Sequence, residues 1–89
     1  MAVSQKQIER IIAIAKSYGA TRLILFGSAV EMPEKARDID VACDGVEGWK
    51  LYEFAARAEE ELETNLDIVP LNPPNRFTKI IETKGKVLL

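Results

Sequence analysis

The chain has 89 residues, 47% of them hydrophobic and 29% charged, with a formal net charge of −2. That length buries about 60–70% of its unfolded surface, enough for one modest core, and the lack of a basic surplus argues against charge-driven binding of long nucleic acid by this chain alone. A single cysteine, Cys43, forms no internal disulfide and suits a reducing compartment, and the absence of histidine removes imidazole bases, catalytic triads and His-based zinc sites.

No apolar run approaches the roughly 20 residues that span a bilayer, and no signal-peptide pattern opens the chain. The expectation is one cytoplasmic domain over 1–89 with no membrane partner. In chain order, Ser4-x-x-Gln7 fits a capping box, in which each side chain satisfies an orphan backbone N–H. Ile8, Ile11, Ile12 and Ala15 then recur at helical spacing, and Gly19 stands where a C-terminal cap belongs. Leu23-Ile24-Leu25-Phe26 is a short apolar run bounded by turn residues, which predicts a strand buried on both faces. Gly27-Ser28 ends it. A helical turn over 29–32 follows, and 31–36 reads as an exposed loop.

Residues 38–43 alternate acidic and apolar, as a strand does, and Asp44-Gly45 turns the chain. The clearest helix is 49–64, with Leu51, Phe54, Ala55, Ala58 and Leu62 as its apolar stripe. Trp49 and Tyr52 read as core packing at its start, with a partner surface as the other reading. Asn65 suits a left-handed cap. Residues 66–71 form the third strand. Asn72-Pro73-Pro74 starts a short helix, because proline is favoured in a first turn. Phe77, Ile80 and Ile81 are its apolar side, Gly85 stops it, and 86–89 can add an edge strand. The order defines an α/β (α+β) domain, a small mixed β-sheet with helices packed on it.

The chemistry concentrates in three places. Successive strand residues face opposite ways, so Asp38 and Asp40 share one face while Ile39 and Val41 point to the other. In Leu66-Asp67-Ile68-Val69 the parity is the same, so Asp67 joins them if the third strand lies beside the second. Such a cluster repels itself and raises its own pKa values, and divalent cations remove the conflict. Mg²⁺ favours a few carboxylates, water and phosphate oxygens, and two ions about 3.5–4 Å apart can clamp an in-line phosphoryl transfer. Gly27 lets the backbone approach a ligand closely, and Ser28 adds a hydroxyl. Taken singly, Asp-x-Asp is a solvated strand face and Gly-Ser an ordinary turn; their combination favours the site. The pattern of a P-loop is absent.

A Gly-Ser turn, an Asp-x-Asp pair and a third carboxylate on a neighbouring strand, in that order, resemble the nucleotidyltransferase superfamily, of which DNA polymerase β is the best-known member. The chain is most similar to the minimal nucleotidyltransferases. The resemblance implies the polymerase β-like fold, catalytic and metal-binding roles for Asp38, Asp40 and Asp67, and a triphosphate held by Gly27 and Ser28. It implies Mg²⁺, two ions, with Mn²⁺ as the alternative, and ATP or another nucleoside triphosphate as donor. Asp67 would also help deprotonate an acceptor hydroxyl. The family often carries a glycine in the loop after Gly-Ser and a serine before the first aspartate; here Glu31, Pro33 and Glu34 occupy that loop, and Arg37 precedes Asp38.

Arg37 is read as a phosphate contact or as the partner of a neighbouring acid. Arg76 and Lys79 either reach a nucleotide or lie on a solvated face. Many relatives are encoded beside a small helical HEPT-type protein, and some transfer AMP to a tyrosine of that partner as the antitoxin of a toxin–antitoxin pair. AMP transfer from ATP to a protein hydroxyl is therefore the expected activity. A catalytically inactive module that acts by contact is the alternative, a small-molecule nucleotidyltransferase the third reading, and a homo-oligomer is left open.

Overall fold

The structure, a computed structural model, describes residues 3–89; Met1 and Ala2 of the 1–89 assignment lie outside the described residues. Helix α1 (Gln5–Ser17) starts with the expected capping box: Ser4 Oγ accepts from Gln7 N at 3.2 Å, and Gln7 Oε1 accepts from Ser4 N at 2.8 Å. Ile8, Ile11 and Ala15 are buried as their spacing predicts, joined by Ile14, while Ile12 is only partly covered. Gly19 follows the C-cap Tyr18 with φ +87°, the left-handed conformation that ends a helix with least strain in glycine.

Strands β1 (Arg22–Phe26), β2 (Ile39–Asp44), β3 (Leu66–Pro70) and β4 (Lys86–Val87) form one mixed sheet in the order β3-β2-β1-β4. β1 pairs antiparallel with β2 and β4, whereas β2 and β3 are parallel. A parallel pair needs a long crossover, and helix α3 (Gly48–Leu62) supplies it. Helix α2 (Ser28–Glu31) is a single turn after β1, and helix α4 (Arg76–Lys84) joins β3 to β4.

Period-2 alternation divides the sheet. Leu23, Leu25, Ile39, Val41 and Leu66 point to the side covered by α1 and α3, where they pack with Ile11, Phe54 and Ala58. Ile24 and Ala42 point the other way, against Leu71 and Ile81 of the α4 side, with Phe26 partly buried beside them. Asp40 has the parity of Ala42 and faces that second side.

Several local expectations are corrected. α3 ends at Leu62, and Glu63, not Asn65, adopts the left-handed conformation (φ 52°). Asn65 is instead engaged by β2, its carbonyl accepting from Ile39 N at 3.0 Å. α4 starts at Arg76 rather than at the prolines: Asn75 Oδ1 accepts from Thr78 N at 2.9 Å, and Thr78 Oγ1 accepts from Asn75 N at 2.8 Å. That reciprocal cap satisfies two N–H groups that a proline start would leave to solvent.

Ala36, placed by the sequence in an exposed loop, is 1% exposed because the 32–36 turn folds inward, with Ala36 N donating to Met32 O. Trp49 and Tyr52 are 61% and 81% exposed, so they do not pack in the core; Phe54 and Ala58 do. Phe77 and Ile80 are half exposed, and only Ile81 of the predicted apolar side is buried. Among the described residues no helix is long and apolar enough to cross a membrane.

Candidate active site

The parallel register sets Asp40 directly opposite Asp67, and the antiparallel register sets Phe26 on the other side of Asp40. Adjacent strands lie about 4.8 Å apart, so Asp67, Asp40 and Phe26 form one row across three strands on a single face. Their apolar neighbours Ile39, Val41 and Leu66 are buried on the reverse face, which holds this parity in place.

The carboxyl of Asp40 titrates above the usual range. Burial is the largest cause, followed by the negative charge of Asp67, a hydrogen bond to Asp67 and the charge of Asp38. Two carboxyls held this close disfavour double ionisation, and a cation or a shared proton relieves the conflict.

Gly27 closes the site against β1. Its φ of +72° and ψ of −148° lie where residues with a Cβ are strained. A Cβ at this position would stand 2.6 Å from Asp40 Oδ2. The missing side chain therefore makes the space in which the Asp40 carboxyl sits. Ser28 follows as the first residue of α2, whose N-cap, Gly27, makes no side-chain cap hydrogen bond.

Asp38 precedes β2 and is exposed. Its Oδ1 accepts from Asn65 Nδ2 at 3.3 Å, while its charge is still felt by the Asp40 carboxyl. Among the described residues no three His, Cys, Asp or Glu side chains are gathered as a metal-ligand group. Arg37 is exposed beside it, with its carbonyl accepting from Thr64 Oγ1 at 3.0 Å. The two ion pairs among the described residues, Arg10–Glu61 and Arg22–Glu82, do not include Arg37. Arg37, Asp38, Glu59, Glu63 and Asn65 surround an open pocket of about 440 Å³ at this end of β2 and β3. Arg76 and Lys79 are exposed on α4.

A second groove, of about 510 Å³, reaches Asp67 over the open edge of β3, between α3 (Leu51, Tyr52) and Asn72. Sequence reasoning missed Asn65 and Phe26 as neighbours of the carboxylates. Both follow from register: Asn65 stands one place before Leu66, the partner of Ile39, and Phe26 is the last strand residue before the Gly-Ser turn.

Comparison with protein-family models and with curated proteins finds no match. Solved structures do share the fold. A toxin–antitoxin MntA–HepT crystal structure matches with TM-score 0.74 and 22% identity over 97% of this chain and 72% of the other. A toxin–antitoxin crystal structure with AMP-PNP gives TM-score 0.77 and 22% identity, covering 92% of this chain and 72% of the other. A third, of a tri-AMPylated Shewanella oneidensis HEPN toxin in complex with an MNT antitoxin, gives TM-score 0.75 and 22% identity over 96% and 71%. The chain has the minimal nucleotidyltransferase fold, a four-stranded mixed sheet with helices packed on it.

Proposed function

We propose that this chain is a metal-dependent nucleotidyltransferase that moves AMP from ATP to a hydroxyl on a protein partner, in the role of antitoxin to a small helical HEPT-type protein. The observation that carries the reading is the paired Asp40 and Asp67 on one face, against a glycine whose missing Cβ leaves room for the Asp40 carboxyl. The fold is shared with structures that hold AMP-PNP and an AMPylated toxin, which supports both the donor and the class of acceptor.

The residues fit a hard divalent cation. The donor set is all oxygen, and the Asp40–Asp67 conflict is one that a cation relieves. Mg²⁺ commonly takes one or two carboxylates plus phosphate oxygens, so the Asp40–Asp67 pair suffices to begin a site, with Asp38 joining when it leaves Asn65. Bound there, the metal would polarise the α-phosphoryl group and offset the charge that develops on the leaving oxygen.

The chain's own residues do the rest. Gly27 admits the triphosphate close to the backbone, and Ser28 donates its hydroxyl to a phosphate oxygen. Asp67, on the strand with an open edge, takes the proton of the acceptor hydroxyl entering over the β3 groove. The hydroxyl oxygen bonds to the α-phosphorus. The bond from that phosphorus to the oxygen bridging the β-phosphate breaks, and pyrophosphate carries away the electron pair.

Thermal denaturation tests the reading. Mg²⁺ with ATP at a hundredfold its Kd should stabilise the protein by about 2.7 kcal/mol, and Asp40→Asn or Asp67→Asn should abolish the gain. ATP labelled on the α-phosphate should mark a partner protein, whereas label on the γ-phosphate should not. No stabilisation by any triphosphate, with tight partner binding retained, would instead assign a contact-only module.

A further inference from the structure

A groove of about 210 Å³ lies between α2 and α4, walled by Phe26, Val30, Phe77, Ile80 and Ile81, with Gly27 at its margin. Two features connect it to the site. Gly27 belongs both to this groove and to the turn against Asp40. Phe26, which forms part of the groove wall, is also the register partner of Asp40. An apolar slot therefore opens directly off the row of carboxylates.

The aromatic pair in the slot is half open. Phe77 packs edge-on against Phe26, with ring centroids 5.8 Å apart and planes at 86°, yet 50% of Phe77 stays exposed. Ile80, one helical turn further along α4, is 48% exposed. Burial alone does not explain this placement, since Ile81 already anchors α4 to the sheet through Ile24 and Ala42. Glu31 and Lys84, a carboxylate and an ammonium, also border the slot. A flat heteroaromatic ring carrying an exocyclic amine matches such a lining: its face meets apolar and aromatic side chains, and its edge meets one acceptor and one donor.

We infer that this groove takes the nucleobase of the triphosphate held at Gly27 and Ser28, with Phe77 as the stacking residue and Glu31 as the acceptor for an exocyclic amine. The inference rests on the nucleotidyltransferase reading and adds the part of the ligand that the carboxylates cannot see. It also gives a use to Glu31, an acid whose position near a triphosphate is otherwise unfavourable. Stacking tolerates any base, because every base presents a π-face, so Phe77 sets affinity. Glu31 sets preference, accepting from the amino group of adenine or cytosine and meeting the carbonyl of uracil unfavourably.

Thermal shift and calorimetry with two probes, Mg²⁺–ATP and Mg²⁺–tripolyphosphate, separate the base from the phosphates. The wild-type protein should bind ATP more tightly than tripolyphosphate. Phe77→Ala should weaken ATP roughly ten-fold and leave tripolyphosphate unchanged, Phe77→Tyr should restore ATP, and Glu31→Gln should narrow the preference for ATP over UTP. Because Phe77 is half exposed, Phe77→Leu provides a second variant that keeps apolar bulk and lacks the ring. Equal binding of both probes, or full ATP affinity in Phe77→Ala and Phe77→Leu, overturns the base site while the phosphate reading stands. Failure of the wild-type protein to bind either probe overturns both.

Discussion

Replacing Gly27 by alanine tests the site at its tightest point. Its backbone, φ +72° and ψ −148°, is strained for any residue with a Cβ, which carries a penalty of about 1–3 kcal/mol. In a domain of this size 1 kcal/mol corresponds to about 4–8 °C in Tm, so Gly27→Ala should lower the midpoint by roughly 4–24 °C. The new methyl would also stand 2.6 Å from Asp40 Oδ2. That atom is the far end of a side chain, so the carboxyl turns away rather than the sheet parting. The Mg²⁺–ATP stabilisation should therefore fall beyond what the lower midpoint explains. Gly48→Ala is the matched control. It lies at the start of α3 with nothing within 4 Å of its added Cβ, and should be neutral or stabilise by about 0.4–1 kcal/mol. Differential scanning calorimetry with and without Mg²⁺–ATP reads both effects. A Gly27→Ala protein that melts and responds to nucleotide like the wild type would refute the argument that this glycine makes room for Asp40.

Asp40→Asn should stabilise the protein in the absence of divalent ions. The folded-state pKa of Asp40 is raised, so the folded protein holds this proton more strongly than the unfolded chain. Stability then falls as pH rises from about 3.9, the unfolded value, through the raised folded value. The asparagine variant lacks this fall, and parallel pH–stability curves for the two proteins would count against the paired-carboxyl geometry. Phe54→Ala removes a fully buried ring packed on Tyr18 at 5.9 Å and should lose about 3–5 kcal/mol; urea titration measures it, and a loss below 1 kcal/mol would contradict the core assignment. Burial pushes the Cys43 thiol up to about 11, so at pH 8 the folded protein should resist iodoacetamide and the urea-unfolded chain should react. Fast alkylation of the native state would show that Cys43 is accessible.

Much of the fold was legible because its signals are local. The Ser4–Gln7 cap lies within one turn and the β1 run within five residues, and the structure contains both. Asn75-x-x-Thr78 is equally local, but the prolines before it drew the helix start too early. Glu63 takes the left-handed position, whereas Asn65 is engaged by β2, a contact between segments far apart in the chain. Trp49 and Tyr52 sit where an amphipathic helix usually turns inward, yet β3 is an edge strand, and among the described residues no further strand lies beyond it to cover them.

By itself the sequence determined the parity of the acidic residues: side chains alternate along a strand, and the apolar partners Ile39, Val41 and Leu66 must go inward. Only the tertiary structure decided that Asp40 stands directly opposite Asp67, since pairing depends on the register between strands joined by α3. Register is a property of the whole packed sheet, set by burying every apolar position at once, and no stretch of chain carries it alone.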